Sequence, residues 1–139
     1  MRAKEFLVQY WDAKAEVRRL ERQLAEIDDL VGNVTVDPTS EHVQTSRDPD
    51  QIGTLVAERA DIESDLTAAK DKALEVMQRV VDMINKLKKR EYRQILQMRY
   101  VEHRSWRYIA EDMEYDGRYI YKLHNRALDA MDHILDRTF

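Results

Sequence analysis

Apolar residues in the first part of the chain recur at alternating steps of three and four positions. This spacing places them on one face of an amphipathic helix with a coiled-coil-like seam. The residues between them, such as Arg18, Arg22 and Glu26, then form a solvated face. The pattern ends at Gly32-Asn33, which is typical of a helix C-terminus. The seam of this first helix is Ala3, Phe6, Tyr10, Ala13, Val17, Leu20, Leu24, Ile27 and Val31.

Residues 32–51 have no lasting period and contain both prolines of the chain. They predict a loop, with Asp50 as the cap of the helix that follows. A loop of this length either contacts a partner or is disordered. A second helical seam follows it, and only Arg59 breaks the apolar pattern. This seam is Ile52, Leu55, Arg59, Ile62, Leu66, Ala69, Ala73, Val76, Val80, Met83 and Leu87.

Two seams of similar length, joined by a loop, predict an antiparallel helical hairpin for residues 1–87. The low content of glycine (3) and proline (2) also favours an all-α protein. A lone two-helix hairpin buries little apolar surface. We therefore expect further helices or a second copy of the chain to complete it.

Residues 88–139 predict a second, separate domain. Apolar positions indicate a helix over residues 89–101, either separate or continuous with the second long helix. Ser105 and Asp116 are residue types that cap helices, and each precedes a helix-like run. They predict a short helix over residues 106–113 and a longer one from Gly117 onward. A turn of residues 114–116 lies between the two.

The spacing around this turn is typical of a helix-turn-helix unit. Ile120 and Leu123 follow Ile109 by 11 and 14 positions, and the small side chain of Ala110 permits a close helix crossing. A plain helical hairpin shares these apolar residues, but less often the alanine, the spacing and the second cap together.

The charge of the chain differs between its two ends. Residues 1–85 contain 11 Lys and Arg against 18 Asp and Glu, whereas residues 86–139 contain 12 against 9. A basic end on a chain of net charge −4 indicates a surface that faces nucleic acid.

Several classes of function have little support in the sequence. There is no cysteine, and the histidines His42, His103, His124 and His133 lack the spacing of metal ligands. No phosphate-binding glycine loop or nucleophile motif is present. We therefore expect no catalysis, no metal and no cofactor. The charged N-terminus and the lack of a long apolar run predict an intracellular protein without a membrane partner.

The run "RQILQMRYVEHRSWRYIAEDMEYDGRYIYKLHNRALDAM" resembles the fourth conserved region of sigma-70-type factors, which binds promoter DNA. The matching residues are Arg99-Tyr100, Ile109-Ala110 and Arg126-Ala127-Leu128. The whole layout is similar to phage and prophage transcriptional regulators of the ArpU/RinA-like late-gene group. Asp50-Gln51-Ile52-Gly53 resembles a segment found before the second helix in that group. The chain departs from the pattern at Glu114, where the family usually has glycine in the turn.

If the last helix is a recognition helix, its inward face is Ile120, Leu123 and Ala127. The opposite face then meets the major groove, and the start of the preceding helix meets phosphate. Tyr108, Tyr119 and Trp106 are more readily packing residues. Lys88, Lys89, Arg90 and Arg93 are further candidates for contacts with the DNA backbone. The predicted DNA-binding residues are Arg104, Ser105, Arg107, Gly117, Arg118, Tyr121, Lys122 and Asn125.

The resemblance implies a sequence-specific transcriptional regulator, encoded by a phage and acting in the cytoplasm of a bacterial host. Its expected partners are double-stranded DNA, bacterial RNA polymerase and a second copy of the chain. Two alternatives remain open. One is a recognition subunit for phage DNA packaging, and the other is a polymerase-binding adaptor that does not read DNA.

Overall fold

The computed structural model of the protein describes residues 2–32 and 49–138. All regular structure in these residues is helical. The α-helices are α1 (Ala3–Gly32), α2 (Pro49–Ile84), α3 (Arg90–Leu96), α4 (Trp106–Met113) and α5 (Gly117–Thr138). A π-helical turn, Gln97–Val101, follows α3 directly. None of the described helices is long and apolar enough to cross a membrane.

The predicted seams of α1 and α2 lie on the sides of these helices that are shielded from solvent. Every seam position is buried or half-buried, and Arg59 is one of the half-buried ones. α1 is helical as far as Gly32, the last described residue of its segment. Burial of a continuous apolar face explains why two such charged segments form long helices.

The prediction of a loop over residues 32–51 is wrong at its far end. Pro49 and Asp50 are both helical, so Asp50 lies within α2 and is not the cap before it. The rest of the predicted loop, residues 33–48, lies outside the described residues.

The described chain forms two compact units. One consists of Met1–Ala13 and Lys72–Phe139, and the other of Lys14–Asp71. In the second unit Leu20, Ile27 and Leu66 are buried. Arg59 on α2 forms ion pairs with Asp28 on α1 and, at 2.6 Å, with Glu63. Arg59, the charged residue that interrupts the second seam, therefore lies between two carboxylates.

The first unit contains a large apolar core. The start of α1 contributes Phe6 and Leu7, and the backbone N–H of Ala3 donates a hydrogen bond to Asp132 Oδ1 on α5 at 2.6 Å. The largest side chains of this core that are less than 2% exposed are Leu7, Val80, Ile84, Ile95, Leu96, Tyr100, Ile109, Ile120, Leu123 and Met131.

α3 does not continue α2, so that alternative is wrong. Tight turns follow the last residue of α2, in which the N–H groups of Lys86 and Leu87 donate to the carbonyl groups of Met83 and Ile84. Lys89 is then extended, with φ −82° and ψ 126°. Leu87 is buried at this corner, and its burial fixes the change of direction. The predicted helix over residues 89–101 is a short α-helix that changes into the π-helical turn.

Candidate nucleic-acid interface

The two helices of the candidate site are capped as the sequence predicts. The Ser105 hydroxyl oxygen accepts a hydrogen bond from the Tyr108 backbone N–H at 3.1 Å, so α4 begins at Trp106. Asp116 Oδ1 accepts from the Arg118 backbone N–H at 3.1 Å and caps α5 in the same way. Each cap satisfies one of the N–H groups that the first turn of a helix leaves without a partner.

The turn between the helices is a Schellman motif. The N–H of Tyr115 donates to the Ala110 carbonyl at 2.9 Å, and that of Glu114 donates to the Glu111 carbonyl at 3.2 Å. Glu114 is left-handed, with φ 59° and ψ 41°. The turn therefore needs a positive φ at this position, and the Cβ atom of glutamate strains it.

Replacement of Glu114 by glycine is expected to raise the free energy of unfolding by about 1 kcal/mol, because glycine adopts the left-handed region without the Cβ clash. Urea denaturation of the full chain measures the change. The same substitution at Glu111, inside α4, serves as the control and is expected to lower the stability by about 1 kcal/mol. Loss of stability on Glu114→Gly would show that the glutamate side chain contributes more than its backbone conformation costs.

The inward face of α5 consists of the predicted residues. Ile120, Leu123 and Ala127 are buried, and Met131 and Leu135 extend this face toward the C-terminal end. Ile109 and Ala110 of α4 belong to the same core. These contacts fix the rotation of α5 about its axis and thereby determine which side chains point outward.

The outward face of α5 presents the predicted base-reading residues together. Arg118, Tyr121, Lys122 and Asn125 are all exposed and lie one helical turn or less apart along one side of the helix. Gly117 is exposed too, and a Cβ added there would meet no atom within 4 Å. The packing of the protein itself therefore does not require glycine at the tip of α5.

The predicted phosphate-binding residues lie at the other end of the site, near the start of α4. Arg104, Ser105 and Arg107 are exposed. The guanidinium of Arg104 lies 4.5 Å from the centre of the Tyr108 ring, and that of Arg107 contacts Glu111 at 3.3 Å. Both contacts are at the surface, where such pairs contribute little to stability. The side chains therefore remain able to exchange these contacts for phosphate.

The aromatic residues of the site divide into packed and exposed groups. Tyr119 is half-buried against Tyr115, with ring centres 4.7 Å apart, which confirms its packing role. Tyr108 and Tyr121 are instead exposed. The expectation of a packing role is wrong for Tyr108, because 42% of its surface is exposed.

Trp106 is the structural residue that the sequence predicts, and it connects three elements. Its ring lies 4.6 Å from that of His124, 5.3 Å from that of Tyr121 and 4.5 Å from the guanidinium of Arg99. Arg99 also lies 5.4 Å from the Trp11 ring and donates a hydrogen bond to the Arg104 carbonyl at 2.9 Å. Trp106 is half-buried against the core and thus supports an exposed tyrosine on α5.

His124 is a buried residue whose role the sequence did not reveal. The Tyr100 hydroxyl and His124 Nε2 share a hydrogen bond of 2.8 Å. Burial, and to a lesser extent the positive charges of Lys4 and Arg99, lower the pKa of His124 from 6.5 to about 4. The ring is therefore neutral at pH 7. Its position one residue after Leu123 and four after Ile120 places it on the inward face, which is the signal that could have identified it.

Arg93, one of the residues predicted to contact the DNA backbone, also stabilises the fold. Its Nη1 atom donates hydrogen bonds to the carbonyl groups of Leu87 at 2.6 Å and Lys88 at 2.9 Å. It thereby closes the corner between α2 and α3, and its guanidinium is partly occupied. Lys88, Lys89 and Arg90 are exposed at the same corner.

Comparison with known proteins identifies a family. A family model described as "Protein of unknown function (DUF1492)" matches residues 38–132, a range that includes α2, α3, α4 and most of α5. No curated protein matches the chain, and no solved structure matches it. Because the matched range is more than half of the sequence, the chain belongs to the DUF1492 family.

Proposed function

We propose that the protein is a sequence-specific DNA-binding regulator of transcription. The observation that carries this proposal is the two-sided character of α5. One side is fully buried at Ile120, Leu123 and Ala127, and the other exposes Arg118, Tyr121, Lys122 and Asn125. A capped short helix and a tight turn precede it. A recognition helix requires such a division, because the same rotation must serve the core and the major groove.

In this proposal the residues at the start of α5 read base edges, and those at the start of α4 hold the DNA backbone. Arg118 has the forked donors that suit guanine, and Asn125 has the donor and acceptor that suit adenine. Ser105 and Arg107 offer a helix N-terminus and a cation to one phosphate, and Arg104 offers a second cation. The module for these contacts is the domain of residues 88–139.

We further propose that residues 1–87 form the antiparallel hairpin that gives the regulator its partner surface. The ion pair between Asp28 and Arg59 supports this arrangement, as does the favourable charge interaction between Arg19 and Asp65. The earlier of the two α1 residues, Arg19, interacts with the later α2 residue, Asp65, as the antiparallel order requires. The hairpin then contacts RNA polymerase or a second copy, in a phage-encoded regulator that acts in the bacterial cytoplasm. No catalytic step is proposed.

Replacement of Arg118 by alanine is expected to weaken binding to the specific DNA site by about 5- to 150-fold and to relax the base preference at one position. Lys122→Ala is expected to have the same kind of effect at a neighbouring position. Quantitative binding to the promoter DNA upstream of the coding sequence, with each position of the site varied in turn, measures both quantities.

Two control variants distinguish loss of base reading from a general loss of DNA affinity. Lys72→Ala removes an exposed cation on α2, away from the proposed face, and is expected to leave the base preference unchanged. Arg107→Ala is expected to weaken all sequences equally and to reduce the steepness of the salt dependence by about one counterion. If the Arg118 and Lys122 variants are folded and bind like the parent, α5 does not read bases.

A further inference from the structure

A groove with an apolar floor and a basic rim lies beside the corner between α2 and α3. Its volume is about 320 Å³, which accommodates one or two large side chains. Its floor is formed by Leu87, Tyr92, Ala130 and Ile134. Its rim carries Lys86, Lys88, Lys89, His133 and Arg137, and none of its described lining residues is acidic. We refer to these nine residues as the basic groove.

The chemistry of the basic groove selects its occupant. Four permanent cations surround an apolar floor, and the Lys89 ammonium lies 5.3 Å from the centre of the Tyr92 ring. A DNA phosphate would satisfy the cations but would bring no apolar group to cover Tyr92 and Ile134. The fitting occupant is a polypeptide surface with an apolar side chain between carboxylates.

The chain itself carries a surface of this kind. Residues 14–71 contain 7 Lys and Arg against 14 Asp and Glu. Near the end of α1, a shallow surface is lined by Gln23, Glu26, Ile27, Leu30, Glu58, Asp61 and Ile62. Leu30 is 43% exposed there, and the surface around it carries three carboxylates, those of Glu26, Glu58 and Asp61. We refer to these residues as the Leu30 surface.

We propose that the protein self-associates, and that the Leu30 surface of one copy docks on the basic groove of another. Leu30 then covers the apolar floor, while Glu26, Glu58 and Asp61 face the lysines and Arg137 of the rim. The two surfaces match in both polarity and charge, and both features are needed for a specific contact. This association does not require DNA. In this proposal Lys88 and Lys89 contact the carboxylates of the Leu30 surface and not the DNA backbone.

Cysteine cross-linking tests the contact directly, because the chain contains no cysteine. Full-length Leu30→Cys is mixed with a tagged Ala130→Cys variant under mild oxidation. Ala130 lies on the floor of the basic groove. A disulfide-linked pair of unequal mass is expected to be the main product. Leu74→Cys, at an apolar residue of α2 that is 58% exposed, replaces Leu30→Cys in the control and is expected to cross-link at least tenfold less.

Charge reversal provides a second, independent measurement by sedimentation. Lys88→Glu with Lys89→Glu in one variant, and Glu58→Lys with Asp61→Lys in another, should each abolish self-association. Mixing the two variants should restore it, because the reversed charges are again complementary. These residues are exposed, so thermal unfolding followed by circular dichroism is expected to show that both variants are folded.

Three results would overturn the proposal. The first is a parent protein that remains monomeric at about 100 µM and low salt, where even a weak specific contact is populated. The second is cross-linking from Leu30→Cys no greater than from Leu74→Cys. The third is a Lys88→Glu, Lys89→Glu variant that loses affinity for duplex DNA while its mass in solution stays that of the parent. The last result would assign the rim to the DNA backbone.

Discussion

Acidification from pH 6.5 to pH 4 is expected to lower the free energy of unfolding by about 3 kcal/mol through His124 alone. The cause is burial, which lowers the pKa of this histidine from 6.5 to about 4. The unfolded chain binds a proton on this ring below pH 6.5, whereas the folded chain does not until about pH 4. The contribution of His124 is therefore complete above pH 6.5 and is lost as the pH falls toward 4.

Urea denaturation at a series of pH values measures this loss, and a double variant isolates it from the effect of carboxylates. His124→Leu with Tyr100→Phe removes both partners of the buried hydrogen bond, so that neither is left unsatisfied. The stability of the double variant should depend about 3 kcal/mol less on pH over the same interval. Equal pH dependence in the parent and the double variant would contradict this account, because it would show that folding does not lower the pKa of His124.

Replacement of Ile120 by alanine is expected to cost about 2–5 kcal/mol of stability. Ile120 is fully buried and lies in the first turns of α5, opposite the residues proposed to read DNA. The substitution leaves a cavity between α5 and the rest of the core. It also removes a contact that fixes the rotation of α5 about its axis. The affinity for specific DNA should therefore fall even at temperatures at which the variant is folded.

Val56→Ala is the matched control, because Val56 is an aliphatic residue of α2 that is 53% exposed. Its replacement is expected to change the stability by less than about 0.5 kcal/mol. Chemical denaturation and DNA binding of both variants give the comparison. If Ile120→Ala were as stable as Val56→Ala, α5 would not be held by its apolar face.

The helices could be predicted from the sequence wherever local pattern and burial agree. The seams of α1 and α2, the caps Ser105 and Asp116, and the bounds of α4 all follow from spacing and residue type. In these segments the chemistry of a few neighbouring residues is enough to determine where each helix begins and which face is buried. The same holds for the outward face of α5, because burial of Ile120 and Leu123 determines it.

Features that depend on contacts distant in the chain could not be predicted in this way. The π-helical turn after α3 contains Tyr100, whose carbonyl accepts a hydrogen bond from Trp11 Nε1 at 3.1 Å and whose ring stacks on the same tryptophan. The partner lies on α1, at the other end of the chain. The hydrogen bond from Arg93 to the Leu87 carbonyl is a second example, because no local pattern indicates that this cation closes a corner of the chain.

Arg59 and Glu114 were visible as exceptions to a pattern, but the reasons for them were not. The charge at a seam position is explained by Asp28 on α1. The glutamate in place of glycine adopts the left-handed conformation at an energetic cost. In both cases the sequence indicated the position, and only the contacts or backbone angles gave the physical explanation.

In the proposed function, the outward face of α5 reads a DNA sequence. The most direct test is binding of the purified protein to the promoter DNA around its own coding sequence, across a salt series, with scrambled duplex as competitor. We predict a preference for one site by about a thousandfold or more that persists near physiological salt. Equal binding to all sequences, lost as salt is raised, would contradict the claim, because attraction to phosphate alone behaves in that way.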